Sequence, residues 1–275
     1  MEISRDKKRL IIIGIYVIIF FLFGLLVYSW LKPDPTCTDK KQNQGEEKVD
    51  CGGPCSPCAK TYSVQDLIIE EKVFVLGGQG KYDVMMKVSN RNNQVGVKNF
   101  SYRFVLKDIS GNILAERSGN SFVLPVESKY IIETDLESKV APDNMEVIIS
   151  SSEWEEFLSY ERPEINIYNK RYDLVSSGVG YSEAKGLLRN ESSFDFDLIK
   201  INVVLRDEAG NPIAFNKTEM RTINSGEERD FRLLWPVNFP GSVQGVEMEA
   251  EVNVFDSETF IKKYIKDTKP FQQNK

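Results

Sequence analysis

The residues of this chain with the clearest chemical potential are four cysteines within a 22-residue segment. They are Cys37, Cys51, Cys55 and Cys58, and the segment around them contains almost no apolar residues. A polar segment of this kind holds a fixed shape only if covalent bonds or a metal ion link its parts. Three kinds of chemistry are consistent with it: two disulfides, one structural zinc site, or a redox-active dithiol.

The disulfide interpretation is favoured, because an even number of cysteines outside a reducing compartment is typical of disulfides. A bridge between Cys55 and Cys58 would close a very tight loop, so we expect Cys37 and Cys51 each to pair with one of these two. Zinc is disfavoured because the spacing C-x13-C-x3-C-x2-C contains only one close pair, whereas zinc ribbons usually have two. Redox chemistry is disfavoured because no βαβ pattern follows the C-x-x-C sequence.

The same segment also carries oxygen ligands at short intervals. Asp39, Asn43, Glu46 and Asp50 form a candidate Ca²⁺ site, although the pattern favours a solvated polar loop. No cofactor is expected.

The pattern C-x-D-x3-N-x2-E-x3-D-C-G-G-x-C-x2-C resembles a short cysteine-rich module found near the membrane or between domains of bacterial surface proteins. The resemblance covers residues 36–58. It implies an extracytoplasmic stalk element and no chemistry of its own.

Catalytic chemistry has little support elsewhere in the sequence. The chain has no histidine, which excludes Ser-His-Asp and Cys-His nucleophile systems. A glycosidase needs two converging carboxylates, whereas adjacent residues on a strand point to opposite faces. The adjacent pairs are Glu70-Glu71, Glu155-Glu156 and Glu227-Glu228. The aromatic residues that could stack on a sugar are expected in the core instead; they are Trp154, Phe231, Trp235 and Phe239. We therefore expect no catalytic residues and no enzyme activity.

An apolar run at residues 10–31 follows a basic stretch. Its nineteen uncharged residues from Leu10 to Tyr28 would span ~29 Å as a helix, which matches the hydrocarbon core of a bilayer. We predict a transmembrane anchor at 10–31 with residues 1–9 in the cytoplasm, because the flanking positive charge favours that side. Val27 and Ser29 would suit signal-peptidase cleavage, but the run is longer than a usual signal peptide. The basic residues are Arg5, Lys7, Lys8 and Arg9.

Beyond Cys58, polar and apolar residues alternate in stretches such as 81–88 and 100–107, which is typical of half-buried strands. Residues 105–115 align with 204–214, and both contain a D-x-x-G-N turn. Two copies with roughly seven short strands each predict an all-β ectodomain of two tandem Ig-like β-sandwiches. The predicted segments are a cysteine-rich stalk at 32–60, the first sandwich at 61–155, a junction at 156–164 that allows partial packing, the second sandwich at 165–265, and a polar tail at 266–275.

The segment Phe104-Val105-Leu106-Lys107-Asp108, followed by Gly111, resembles the FxLYD-type domain, a β-sandwich of extracytoplasmic bacterial and archaeal proteins. The second copy, 203–207, keeps the Leu and Asp but has Val in place of the leading Phe. Lys107 and Arg206 stand where that family often has Tyr. The family carries no established catalytic residues, so the resemblance transfers no site, and Asp108 and Asp207 are expected to cap turns.

The net charge of −6 argues against nucleic acid as a partner. We expect a single-pass membrane protein whose bulk lies outside the cytoplasm. It would be a non-catalytic envelope protein that presents two sandwiches to an unknown protein or surface polymer, or a structural subunit. The alternative is a carboxylate-based carbohydrate-active enzyme or a carbohydrate-binding protein. Three sequons, at Asn99, Asn190 and Asn216, matter only in a glycosylating secretory pathway and have little weight beside the bacterial character of the pattern.

Overall fold

A computed structural model describes residues 5–31, 36–58, 64–157 and 159–264. The chain divides into two compact units, with the boundary between residues 61 and 62. The first unit holds one helix and the cysteine-rich segment, and the second holds the strands. The predicted polar tail at 266–275 lies outside the described residues.

The first helix, α1, spans Arg5–Leu31. Its segment Arg9–Leu31 has a mean hydropathy of 3.2, and none of its most apolar stretch is buried against the rest of the chain. It is the one helix among the described residues that is long and apolar enough to cross a membrane. By length and composition it fits either an anchor or a signal sequence.

The second unit is built from strands, which account for 52% of the chain and make the class all-β. Six strands belong to the first sandwich and six to the second. The bounds are β1 Ile68–Gly78, β2 Lys81–Asn90, β3 Val95–Lys107, β4 Ile113–Val123, β5 Glu127–Glu137, β6 Asn144–Glu156, β7 Ile165–Leu174, β8 Ser182–Asn190, β9 Phe196–Arg206, β10 Pro212–Ile223, β11 Glu228–Trp235 and β12 Gly245–Val252. The expected seven short strands per copy are thus six longer ones, because single strands such as β3 run through 13 residues.

Each sandwich consists of two three-stranded antiparallel sheets. In the first the sheet orders are β1-β2-β5 and β4-β3-β6, and in the second they are β10-β9-β12 and β11-β8-β7. Alternate residues from facing sheets fill each core, as the period-two pattern requires. Phe100, Phe104 and Leu106 are fully buried in the first core, and Ile199, Ile201 and Leu205 in the second.

A third apolar cluster joins the two sandwiches. It contains Met85 and Tyr130 of the first sandwich and Val204 and Phe215 of the second, with Ile132 completing it. The sheets β1-β2-β5 and β10-β9-β12 therefore pack back to back, and their central strands β2 and β9 are buried on both faces over part of their length. This explains why Met85-Met86 and Val203-Val204-Leu205 are continuous buried runs instead of alternating ones.

The two sandwiches repeat the same local hydrogen bonds. The amide Nδ2 of Asn90 donates to the carbonyl oxygens of Val95 and Leu124, at 2.8 and 3.0 Å. The amide Nδ2 of Asn190 donates to the carbonyl oxygens of Phe194 and Ile223, at 2.7 and 3.3 Å. Both asparagines are buried, so each fixes the loop that leads from one sheet to the other.

The D-x-x-G-N turns are also matched. The carboxylate oxygen Oδ1 of Asp108 accepts the backbone N–H of Asn112 at 2.8 Å, and that of Asp207 accepts the backbone N–H of Asn211 at 2.8 Å. Gly111 and Gly210 take positive φ angles of 83° and 82°, which close the turns.

After β12 the chain forms a 3₁₀ turn at Val254–Asp256 and a short helix, α2, at Glu258–Tyr264. The sequence pattern did not predict either. Phe260 of α2 is fully buried and its ring lies 5.4 Å from that of Phe194, so the helix packs on the second core by its aromatic side.

Candidate functional site

The cysteine-rich segment is held by two disulfides. Cys37 pairs with Cys55 and Cys51 pairs with Cys58, with Cα–Cα distances of 5.6 and 4.8 Å. No cysteine in the described residues is free. In this state the sulfurs offer no thiolate to a zinc ion and no Cys55–Cys58 dithiol, so the structure supports the disulfide interpretation over the zinc and redox alternatives.

Three of the four candidate calcium ligands, Asp39, Glu46 and Asp50, accept hydrogen bonds from the segment itself, whereas Asn43 Oδ1 is buried with no hydrogen-bond partner among the described residues. Asp39 accepts hydrogen bonds from Thr36 Oγ1 and Asn43 Nδ2, at 2.9 and 2.8 Å. Both carboxylate oxygens of Asp50 accept the backbone N–H of Lys40 at 3.0 Å. These hydrogen bonds hold the polar loop in shape. Those that Asp39 accepts from Asn43 Nδ2 and Thr36 Oγ1 also lower the pKa of its carboxyl.

Glu46 is the buried member of this set. Its Oε2 accepts the backbone N–H groups of Asn43 and Asp50, at 3.1 and 3.2 Å. Within the described ranges, one group of three potential ligand atoms converges within 4.8 Å, and it combines Glu46 with the disulfide sulfurs of Cys37 and Cys55. Asp39 and Asp50 are not part of it, so the three predicted carboxylate ligands do not all converge at that spacing.

The paired carboxylates are dispersed through the second unit. Glu70 lies 4.0 Å from Lys87 Nζ, whereas its neighbour Glu71 faces the second sandwich and pairs with Arg206. Glu227 accepts the backbone N–H of Asn224 at 2.9 Å and closes a turn. Glu70 and Glu71 thus have separate structural partners, as expected for strand residues that point to opposite faces.

The four aromatic residues considered for sugar stacking are all buried. Trp154 packs in the core of the first sandwich. Phe231, Trp235 and Phe239 pack in the core of the second, where the rings of Trp235 and Phe239 meet edge to face at 6.3 Å. None of them presents a ring face to a carbohydrate.

The polar contacts between the sandwiches centre on Arg206. Its guanidinium donates two hydrogen bonds to Glu71, at 3.0 and 2.9 Å, and a third to Tyr130 Oη at 3.0 Å. Its Nε also donates to Glu247 at 2.6 Å. Burial and the neighbouring Glu247 carboxylate raise the pKa of Tyr130 to about 12, so the hydroxyl remains a donor at neutral pH. This cluster lies beside the third apolar core.

A second buried pair crosses the same interface. Lys129 Nζ lies 2.8 Å from Glu251 Oε1 and 3.6 Å from the centroid of the Phe122 ring. The side chains of Lys129 and Glu251 are 3% and 11% exposed, so water screens this ion pair little. Removing one partner would leave a buried charge behind.

A cleft lined by residues of both sandwiches also lies between them. Its volume is about 690 Å³. The residues that line it include two basic ones, Lys98 and Lys200, and a larger number of acidic ones. The acidic residues are Glu153, Asp195, Asp197, Glu251, Asp256 and Glu258. Asn99 and Asn120 line the side formed by the first sandwich.

Sequence reasoning did not identify the Arg206 cluster or the cleft. In the sequence Arg206 stands out only as a departure from a family pattern. The usable signal was the unbroken apolar run before it, because a strand that is apolar on both faces must be covered on both.

No family model matches the chain, and no curated protein matches it. Among solved structures, a red sea bream transglutaminase is similar at 9% identity over 68% of this chain, with a TM-score of 0.23. The chain spans only 29% of that enzyme's length. The calcium binding domain CBD12 of CALX1.1 is similar at 11% identity, covering 66% of this chain and 80% of that one, with a TM-score of 0.19. Likenesses at these TM-scores add nothing to what the strand order shows.

Proposed function

We propose that this protein is a membrane-anchored, non-catalytic display protein whose two sandwiches lie outside the cytoplasm. The architecture carries the proposal: one unpartnered apolar helix, then a disulfide-held module, then two sandwiches packed back to back. Disulfides persist in oxidising compartments, which supports placing residues after the helix on the outer side.

The two sandwiches are, in this proposal, copies of one FxLYD-like unit, and the cysteine segment is a stalk of the kind used by bacterial surface proteins. The matched asparagine bonds and the matched D-x-x-G-N turns support a duplicated unit. The back-to-back packing gives the pair a fixed geometry, which suits presentation of a surface to another envelope component.

The orientation of the chain in the membrane can be tested directly. A C-terminal epitope tag on the full chain should be removed by protease added to intact cells, while an N-terminal tag should survive until lysis. A C-terminal tag that is protected until lysis would refute the proposed orientation. A mature chain that begins at Trp30 would show that the helix is a cleaved signal and not an anchor.

A carbohydrate-binding role is a second candidate, favoured by the 690 Å³ cleft with its amides and carboxylates. The test is co-sedimentation of the ectodomain with insoluble cell-wall polysaccharide. Binding that is lost on Asp197→Asn, but kept on substitution of the exposed Asp173 by Asn away from the cleft, would support it. If the wild type and both variants all remained in the supernatant, a carbohydrate-binding role would be excluded.

A further inference from the structure

The three N-x-S/T sequons occupy very different positions in the fold. We propose that Asn99 is the N-glycan acceptor of the folded protein and that the inter-sandwich cleft receives its first sugars. This inference rests on the outward orientation in the proposed function, since glycan transfer requires the sandwiches to lie outside the cytoplasm, and it applies in a secretory pathway that glycosylates N-x-S/T sequons. On sequence alone the three sequons are equivalent, and the bacterial character of the surrounding patterns gives them little weight.

Asn190 cannot carry a glycan in this fold. Its side chain is fully buried, and its Nδ2 donates both of its hydrogens, to the carbonyl oxygens of Phe194 and Ile223. Attachment of a sugar replaces one of those hydrogens and inserts a bulky polar group where no solvent reaches. A chain modified there would lose the bond that fixes the loop between β8 and β9.

Asn216 is also engaged. Its Nδ2 donates to the carbonyl oxygen of Leu234 at 3.1 Å, and this bond connects β10 to β11, which belong to the two facing sheets of the second sandwich. Neighbouring Phe215 points to the opposite face, into the cluster between the sandwiches. A glycan on Asn216 would therefore replace one of the two hydrogens of an amide that already fixes β10 to β11.

Asn99 differs from both. It lies on β3 at a register shift in both of that strand's ladders, and its side chain lines the cleft. Its amide makes no hydrogen bond to any residue within the described ranges, so substitution costs the fold no bond. Ser101, the hydroxyl residue of the sequon, lies near the surface and donates to Asn120 Oδ1 at 2.8 Å. The cleft volume of about 690 Å³ provides space beside the amide.

The reaction requires a lipid-phosphate-linked oligosaccharide and an oligosaccharyltransferase. Asn99 Nδ2 forms a bond to the anomeric carbon of the first sugar, and the bond from that carbon to the phosphate oxygen breaks. The amide loses one proton to a base of the transferase, and the lipid phosphate leaves with the bonding electrons. No oxidation or reduction takes place.

The test expresses the full chain in a yeast secretory pathway, with a reporter sequon added after Lys275. The detergent-solubilised monomer is separated from aggregates, because modification of nascent chains at Asn190 would yield misfolded protein. Site occupancy is then read by peptide mass spectrometry. We expect glycan at Asn99 and at the reporter, and none at Asn190 or Asn216. Asn99→Gln should remove one mobility step, whereas Asn120→Gln, in the same cleft but outside any sequon, should remove none.

Three outcomes would overturn the inference. An occupied reporter with unmodified Asn99 in the monomer would refute it and leave the proposed orientation intact. Glycan at Asn190 or Asn216 in the monomer would refute the structural selection among sequons. An unmodified reporter together with an unmodified Asn99 would refute the outward orientation and this inference with it.

Discussion

Arg206, at the end of β9 in the second sandwich, donates two hydrogen bonds to Glu71 on β1 of the first, at 3.0 and 2.9 Å. The two residues are 135 positions apart in the chain. Both are only partly exposed, so the bond is less screened than a surface ion pair. The Arg206–Glu71 pair therefore helps to fix the relative position of the two sandwiches, in addition to the short connection between them.

Replacing Arg206 by Leu should weaken the interface. We expect a loss of about 1.5–3 kcal/mol in the free energy of unfolding, the range for hydrogen bonds to charged groups. Urea denaturation of the ectodomain measures it. Arg103, whose pair with Glu116 is exposed and 3.7 Å long, is the matched control, and Arg103→Leu should cost less than about 1 kcal/mol. Equal losses would show that the Arg206 cluster has no special role.

Replacing Asn90 by Ala and replacing Asn190 by Ala should lower the free energy of unfolding by similar amounts. Each change leaves two buried carbonyl oxygens without their donor, which costs about 1–3 kcal/mol each. Asn93→Ala, in the exposed part of the same loop as Asn90, should change stability by less than about 0.5 kcal/mol. Thermal melts of the three variants check this. A mild effect at only one of the two buried positions would argue against equivalent roles.

Glu249 should make stability depend on pH. Burial raises the pKa of its carboxyl to about 7, whereas the unfolded carboxyl titrates near 4.5. The folded state therefore binds the proton more tightly, and the free energy of unfolding should fall as pH rises from about 4.5 to about 7. Glu249→Gln removes this loss, and its Oε1 can still accept the backbone N–H of Tyr130. The variant should melt above the wild type at pH 8 and at the same temperature at pH 4.

Comparison with the wild type isolates this effect, since Asp83, whose pKa is raised to about 6 by burial, contributes equally to both proteins. Glu258→Gln is the control, because that side chain is 83% exposed. If the difference between Glu249→Gln and the wild type were the same at pH 4 and pH 8, the assigned burial of Glu249 would be wrong.

Reduction should affect only the cysteine segment. The four cysteines form Cys37–Cys55 and Cys51–Cys58, and the sandwiches contain no cysteine. Non-reduced mass spectrometry should show the loss of four hydrogens. A reducing agent should leave the melting temperature of the sandwiches unchanged while exposing residues 36–58 to protease. A fall in the melting temperature of the sandwiches would contradict the division of the chain at residue 61.

Much of this architecture could be predicted from local sequence. The turn residues Asp108 and Asp207, the uncharged run of the first helix and the alternation in β3 each depend on neighbours within a few positions, which sequence patterns report directly. The packing between the sandwiches is harder to predict from the sequence, because Met85 and Val204 have the same polarity whether they face a core or another domain. Arg206 and Glu71 look like ordinary surface charges until the fold brings them together. The side chains that line the cleft come from separate strands and from a turn after β12 that carries no repeat signal.

The central claim is that the sandwiches share one interface core and unfold as a single unit. Scanning calorimetry of an ectodomain fragment, residues 64–275, with and without Phe215→Ala, tests it most directly. Phe215 is fully buried between the sandwiches, and its truncation should cost about 3–5 kcal/mol. We predict one transition with equal calorimetric and van't Hoff enthalpies, which moves to lower temperature as a whole in the variant. Two transitions, of which only the one assigned to residues 165–264 moves, would contradict the claim.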